Sequence, residues 1–494
     1  MKYRNGLSLA ALAISAVMPA TAFAQAVTSA DLAALMQRLD KLEADNAELK
    51  RQIAEAQRAA TKPVEAAQAA APRDEVRAPE AVSGVGINSA YAFAVLDHAE
   101  GVNRRQILQL ESRQNGSLDN IVTLSGAVTA IADAHWSNRS DKFGYLMRHP
   151  TLNNQRTKAT QEIALHSAQL AVTVAPTSDI TGYAEMLYDP EQSFGAGTVT
   201  AVTRNQIQLR KAWVMWGNLN KSPLYAAIGK MDVPFGLEDT VSPFTNSSNW
   251  HAFAPLAYGG LVGYYDGNLS VRAMAVGGGA QFRSANTPVD GTNIPSKLNN
   301  YALDVNYRAN VADDLSAMVG GSYIHGSAYC QNYPVTHFSP CTYNNPAWAL
   351  YGKIDAGRLH LIADFARTTK AFTGSAVPST ASAALSVYQA AKVSSLTIGG
   401  RYSVPISENE TNISLEFSRF QAGAKGSPWE RQKQWVLGLS HRLATSVDVF
   451  GELVRTEGYV PLNFLSGGNF PSGATWSEHD AHSNVVVLGT QLAF

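Results

Sequence analysis

Apolar and polar residues alternate with a period of two along most of the chain after residue 119. The clearest stretch is residues 300–308, NYALDVNYR, in which every second side chain is aromatic or aliphatic. Successive side chains of a β-strand face opposite ways, so such a segment has one face suited to lipid and one suited to water. The last ten residues alternate in the same way and end on Phe494. This pattern predicts amphipathic strands up to the C-terminus.

Turn-forming segments and longer polar stretches divide these strands. Short turns are predicted at residues 176–179, 220–223, 266–267, 355–357, 408–410 and 444–446. Longer loops are predicted at residues 137–160, 190–203, 236–257, 279–298, 326–345, 371–394, 422–431 and 458–482. The two kinds of connection alternate, which predicts an all-β fold, a transmembrane antiparallel β-barrel of about 16 strands over residues 119–494. The short turns then face the periplasm and the loops face the outside.

The N-terminus has the pattern of an export signal. Lys2 and Arg4 precede an apolar run over residues 7–18, and Ala22-Phe23-Ala24 supplies small residues before a cleavage point. The run is shorter than the ~20 residues of a membrane-spanning helix. We therefore expect residues 1–24 to be removed after Ala24. An exported chain with these strands is expected in a bacterial outer membrane, in contact with its lipid; a soluble β-sandwich is the alternative for the alternation alone.

Residues 25–58 predict an α-helical coiled coil on the periplasmic side. Leucines and an isoleucine recur at 3,4 spacing, Asn46 occupies a core position, and the flanking charges suit parallel strands. A single surface helix is the alternative interpretation. The coil favours an oligomer, and together with the family resemblance given below it implies a homotrimer. Residues 59–84 are rich in Ala and Pro and predict an extended linker.

Residues 85–118 are expected to form a periplasmic adapter segment. Within it, residues 103–112 suit either a short helix capped by Asn103 or an amphipathic piece resting beneath the barrel.

Composition fits a barrel with a wet interior. The chain is 45% hydrophobic, and after the export signal no stretch resembles a spanning helix. The formal net charge of −1 gives no indication of a nucleic-acid partner.

Residues 205–236 add a resemblance to known families. They read as a hairpin whose second arm ends in Gly229-Lys230-Met231-Asp232-Val233-Pro234-Phe235-Gly236. This resembles the phosphate-type porins and, more closely, the siderophore porins of the legiobactin-uptake type, which the export signal, coil, linker and terminal aromatic also resemble. The aromatic C-terminus is similar to the insertion signal of outer-membrane barrels. The resemblance implies a channel that passes a ferric siderophore without TonB-dependent energy.

The channel interpretation identifies candidate selective residues. The third long loop, residues 237–257, could fold inward as a constriction; an exposed loop or a latch between subunits is the alternative. Its candidate constriction residues are Glu238, Asp239, Phe244, Trp250, His251 and Phe253. Charged residues predicted to line the pore are Arg210, Lys230, Asp232, Arg272, Asp304, Arg308, Asp364, Glu416, Arg442, Asp448 and Glu452. Both signs occur in similar number, which favours weak ion selectivity.

Strict alternation places Lys211 on the face of Leu209 and Trp213. The adjacent charges Arg210 and Lys211 therefore predict a β-bulge, with a lysine reaching the membrane interface as the alternative.

The remaining chemistry is sparse. Cys330 and Cys341 are the two cysteines, and an exported chain favours a disulfide between them over a metal site. The 11 His are scattered, and no nucleophile elbow or metalloprotease motif is present. We therefore expect no enzyme, no metal and no cofactor, but passive or facilitated passage of small solutes. Open alternatives are a general or phosphate-type porin, an adhesin or tether whose coil contacts the cell wall, and an outer-membrane hydrolase.

Overall fold

A computed structural model describes residues 84–140, 157–188, 207–277, 281–282, 298, 300–327, 329, 344–372, 391–405, 409–427, 430–460 and 478–494, with Lys41 and Arg51. The chain divides into two units, residues 1–78 and 79–494, and the description below concerns the second. The predicted cleavage site, most of the coiled coil and linker, and both cysteines lie outside the described residues.

Strands dominate the described part of the chain. They are β1 (Val85–Ile87), β2 (Val122–Ser137), β3 (Ala159–Val174), β4 (Ile180–Tyr188), β5 (Ile207–Gly217), β6 (Leu224–Asp232), β7 (Pro255–Tyr265), β8 (Leu269–Val276), β9 (Gln281–Phe282), β10 (Asn300–Ala312), β11 (Leu315–Ile324), β12 (Ala347–Ala356), β13 (Leu359–Thr368), β14 (Ser394–Val404), β15 (Thr411–Gln421), β16 (Arg431–Ala444), β17 (Val447–Tyr459) and β18 (Glu478–Ala493). The described helices are α1 (Ser89–Leu96), α2 (Arg105–Gln114) and α3 (Ser248–Phe253). Among the described residues, no helix has the length and apolar character needed to cross a membrane.

Sixteen of these strands form a closed antiparallel barrel, which confirms the predicted fold class. Each barrel strand pairs with the next, β8 pairs with β10, and β18 pairs with β2 to close the ring. The short strands lie outside this count: β1 runs parallel to the start of β2, and β9 pairs with β7. At the closure, the backbones of Phe494 and Gly126 exchange hydrogen bonds of 2.9 and 3.0 Å.

The two faces of the strands differ as the alternation predicts. In β10, Tyr301, Leu303 and Val305 are each 44–47% exposed on the outer face, whereas Ala302 and Asp304 are fully buried on the inner face. The strand ends also fit the six predicted turns, and Asp313 and Asp314 form a seventh short turn that the pattern did not reveal. We call the end with these turns the turn end and the opposite end the loop end.

The predicted bulge is confirmed at Arg210. The register passes from Glu185 opposite Lys211 to Met186 opposite Leu209, so Arg210 is the extra residue. Arg210 and Lys211 both bond carboxylates, those of Glu185 and Asp232.

At position 229, the first residue of the Gly229–Gly236 segment, the neighbouring strand lies so close that only a glycine fits. It has φ 146°, and a Cβ there would lie 2.2 Å from the carbonyl oxygen of Ala212. We expect Gly229→Ala to destabilise the barrel by about 1–3 kcal/mol through overpacking and backbone strain. Heat-modifiable electrophoretic mobility of the folded barrel measures this. Gly260→Ala on β7 is the matched control, since nothing lies within 4 Å of its Cβ position; equal loss in both variants would contradict the explanation.

Candidate functional site

The connection between β6 and β7 lies inside the barrel. We call residues 233–254 the inner loop; all six predicted constriction residues belong to it, and each is at most 7% exposed. Its short helix α3 begins after Ser247, whose hydroxyl accepts a hydrogen bond from the backbone of Trp250. This burial agrees with an inward fold and not with an exposed loop.

Three carboxylates of the opposite wall hold the inner loop in place. Asp364 on β13 accepts the backbone N–H groups of Leu237 and Glu238 at 3.1 and 3.0 Å. Glu416 on β15 accepts the N–H of Val241 at 2.9 Å and the hydroxyl of Thr240 at 2.6 Å.

The third carboxylate completes this row. Glu452 on β17 accepts the backbone N–H groups of Phe244 and Thr245 at 2.8 and 3.0 Å. Asp364, Glu416 and Glu452 do face inward, but they bind the inner loop rather than an open channel.

Two wall glycines provide room for the tip of the loop. A Cβ at Gly399 would lie 2.5 Å from Val241, and one at Gly438 would lie 2.5 Å from Pro243. Backbone strain is located at the start of the loop, where Glu238 has φ 63°, a conformation that residues with a Cβ rarely adopt. The loop is thus fixed by both shape and hydrogen bonding.

The aromatic residues of the loop are packed. Phe253 contacts Phe235 and Tyr329 with ring centroids 6.0 and 5.4 Å apart, and Trp250 lies edge-on to His251 at 4.8 Å. Phe244 stacks on Phe450 of the wall at 5.2 Å. These side chains fill space around the loop, so its aromatic content alone does not identify the narrowest open cross-section.

A second element enters the lumen from the turn end. We call residues 84–118, which contain α1 and α2, the inner helices. Tyr91 bonds Thr173 at 2.9 Å, and Gln109 accepts the indole N–H of Trp213 at 3.2 Å. Since both wall residues are on inner strand faces, the segment lies within the barrel and does not rest beneath it. Its apolar residues Tyr91, Val95, Ile107 and Leu110 join the main hydrophobic cluster.

The predicted helix cap within this segment is wrong. Helix α2 begins after Arg104, which makes no side-chain capping bond. The Asn103 amide instead donates to the carbonyl of Gly236 in the inner loop, and its oxygen accepts from Arg272 on β8. A long-range contact therefore replaces the local cap.

The inner helices also contact the inner loop directly. The backbone N–H of Thr240 donates to the carbonyl of Ala99 at 2.8 Å, and that of Val102 donates to Asp239 at 3.2 Å. The ring of His98 bonds the carbonyl of Phe244 at 3.0 Å. Loop and helices therefore form one continuous obstruction.

Most other charges predicted to line the pore are paired with one another or with nearby residues. The ion pairs are Arg210–Glu185 at 3.1 Å, Lys211–Asp232 at 2.6 Å, Arg272–Asp304 at 2.7 Å, Arg308–Asp355 at 3.3 Å and Arg442–Asp448 at 2.7 Å. Lys230 is buried with its ammonium 5.8 Å from the centroid of the Tyr258 ring. Arg272 and Asp304 are buried and anchor Asn103, whereas Arg308, Arg442 and Asp448 remain partly exposed to the lumen.

Among the described residues, two cavities lie between this obstruction and the wall. The first, of about 300 Å³, lies against β14–β18 and includes Asp97, Pro243, Arg442 and Asp448 among its lining residues. The second, of about 270 Å³, lies against β10 and β12–β14 and includes Arg308, Lys353 and His360. Glu100 of the inner helices and Arg401 of β14 line both cavities and form an ion pair where they meet.

The sequence pattern did not reveal several of these charged residues. Lys353 pairs with Asp239 of the inner loop, and Glu185 pairs with Arg210. The alternation of β12 and β4 does predict that Lys353 and Glu185 face inward. Glu100 and Arg401 meet across about 300 residues of chain, and nothing local indicates their contact.

One titratable group in the first cavity predicts a pH response. Burial, together with the nearby Glu100 carboxylate, raises the pKa of Asp97 to about 6, whereas burial lowers the pKa of His98 to about 4. Between pH 7 and pH 5, Asp97 therefore becomes neutral while His98 stays neutral, so the cavity loses one negative charge. We expect cation preference, measured as reversal potential in a salt gradient, to fall over this range. Asp97→Asn should remove that part of the response; an unchanged pH profile in this variant would contradict the assignment.

Comparison with known proteins gives distant similarities. No family model matches the chain. A UPF0422 protein of Coxiella burnetii is 24% identical over 203 residues, which are 39% of this chain and 39% of the relative. The match thus spans well under half of that relative's length.

Solved structures similar to this chain include three examples. An anion-selective porin from Comamonas acidovorans has 13% identity and a TM-score of 0.45, covering 76% of this chain and 99% of that chain. The outer-membrane channel DcaP of Acinetobacter baumannii has 14% identity and a TM-score of 0.46, covering 76% and 97%. OprB of Pseudomonas putida has 10% identity and a TM-score of 0.46, covering 79% and 96%.

Proposed function

We propose that this protein is an outer-membrane porin that passes small polar solutes along the wall of its lumen. The observation that carries the proposal is a closed 16-strand barrel with an apolar outer face, a charged inner face and cavities beside an inward-folded loop. Such a barrel satisfies its backbone groups within lipid while it keeps a wet interior.

The route follows the two cavities. Their lining includes partly exposed charges of both signs, which supports weak ion selectivity. Val241 and Pro243, at the tip of the inner loop, line the first cavity together with Glu100, Arg401 and Arg442, and we place the narrow part of the route there. Of the six predicted constriction residues, Phe244 and Phe253 pack against Phe450 and Tyr329, and Asp239 pairs with Lys353.

Planar bilayer recording tests the proposal. Purified protein should give stepwise conductance with weak ion preference. Silent bilayers combined with lipase or protease activity would favour the hydrolase alternative. Loss of cell adhesion on deletion of residues 25–83, with conductance intact, would favour the tether. Chemical cross-linking in mild detergent tests the proposed homotrimer, for which a heat-dissociable band at three times the monomer mass is expected.

A ferric siderophore is the second candidate cargo. The resemblance of the hairpin that ends at Gly229–Gly236 to siderophore porins of the legiobactin-uptake type favours it. Growth on a ferric siderophore as sole iron source should then require this gene, without a need for TonB. Equal growth with and without the gene, together with impaired nutrient uptake, would favour a general or phosphate-type porin.

A further inference from the structure

Three potential metal ligands meet on neighbouring strands near the loop end of the barrel. Asp133 and His135 are two residues apart on β2 and therefore share a face, and Glu162 on β3 lies directly opposite Asp133. All three are buried, with exposed fractions of 6%, 0% and 6%. None of them belongs to the inner loop, the inner helices or the two cavities described above.

The ligand atoms of these residues converge. One atom from each side chain lies within 4.8 Å of the others, and Nε2 of His135 is 2.9 Å from Oδ1 of Asp133. Ligand atoms around a tetrahedral Zn²⁺, with bonds of about 2.0–2.2 Å, lie roughly 3.3 Å apart. Small side-chain rotations would therefore bring all three to bonding distance of one ion.

The surroundings of Asp133 favour a cation. Its carboxylate is fully buried, and neither oxygen accepts a hydrogen bond of ordinary geometry from the described residues. On the other side of β2, the positions opposite Asp133 and His135 are Val487 and Val485, whose side chains offer no donor. A buried carboxylate of this kind is costly unless a cation or donors compensate it.

We propose that Asp133, His135 and Glu162 bind one divalent transition-metal ion, with Zn²⁺ as a suitable probe. One imidazole nitrogen and two carboxylate oxygens are a common donor set for such ions, and three protein ligands leave a position for water or an incoming group. Ile131, the next inward residue of β2 toward the turn end, belongs to the same apolar cluster as Phe244 of the inner loop. The ion would therefore neutralise two buried carboxylates on the loop-end side of the inner loop.

Equilibrium dialysis of untagged, folded full-length protein against ZnCl₂ tests the site. We expect one Zn²⁺ per chain, and at least tenfold weaker binding in Asp133→Asn and in His135→Gln. His441→Ala is the matched control, because His441 bonds Thr411 near the turn end and should leave binding unchanged. Unchanged affinity in the two site variants, or no saturable site in the parent, would overturn the proposal.

X-ray absorption spectroscopy of the zinc-loaded protein keeps the proposal testable if a site variant fails to fold. The expected first shell contains only nitrogen and oxygen and includes one imidazole. A sulfur shell, or a shell without imidazole, would contradict the assignment. Neither measurement depends on transport, so failure of the porin proposal would be distinguishable from failure of this one.

Discussion

Deletion of residues 84–118 is expected to raise the single-channel conductance of the barrel by roughly severalfold. The inner helices occupy the turn end of the lumen, where Tyr91, Ile107 and Leu110 pack against inner wall residues such as Trp213 and Tyr225. Without them, the inner loop is the one described obstruction that remains, and conductance grows with the open cross-section. Size exclusion for neutral solutes should relax in parallel.

The control for this deletion is removal of residues 25–58, which contain the predicted coil and not the inner helices. Conductance of that variant should equal the parent value. Heat-modifiable mobility establishes that each barrel is assembled before recording, because the deletion leaves buried apolar wall residues uncovered. An assembled variant lacking residues 84–118 with the parent conductance would show that the solute route does not pass the inner helices.

Replacing Glu416 and Glu452 together by glutamine is expected to convert steady conductance into large, frequent current fluctuations. Together the two carboxylates accept the backbone N–H groups of Val241, Phe244 and Thr245. Each glutamine leaves buried loop N–H groups without their acceptor at a cost of about 1–3 kcal/mol, so the double variant loses about 2–6 kcal/mol of loop attachment. At about 1.4 kcal/mol per tenfold change, the population of detached loop should rise by roughly thirtyfold or more.

The matched control is Glu457→Gln, the same substitution on the same strand as Glu452. Glu457 is 3.7 Å from Lys433, and its side chain is 42% exposed, away from the inner loop. Its current trace should match that of the parent. Gly399→Val should act in the same direction as the double variant, because its side chain would displace Val241. A steady current in the double variant would mean that shape alone holds the loop.

The position of the strands was predictable because its cause is local. A period-two alternation is a property of neighbouring residues, and each strand meets lipid on one side and water on the other irrespective of its partner. The same logic revealed the bulge, since Arg210 and Lys211 break the period. The inward direction of Asp304, Glu416 and Glu452 followed from it too.

The partners of those inward residues were not predictable. Glu452 bonds a loop residue 208 positions away, and Arg272 bonds Asn103 at a separation of 169. Asn103 could have capped the helix locally. Its amide instead bonds the carbonyl of Gly236, a contact that exists only because the barrel encloses this segment. The mixture of apolar and polar residues at 103–112 would equally suit a helix that lies on a surface outside the barrel.

The sequence by itself determined an amphipathic barrel of sixteen strands, the faces of those strands and the candidate inward loop. Tertiary structure alone decided that residues 84–118 enter the lumen. It also decided that Asp364, Glu416 and Glu452 hold the inner loop, whereas most of the other predicted pore charges form ion pairs. The physical reason is that alternation specifies which way a side chain points. What it meets there depends on barrel closure, which brings residues from distant strands and from the N-terminal segment into one enclosed space.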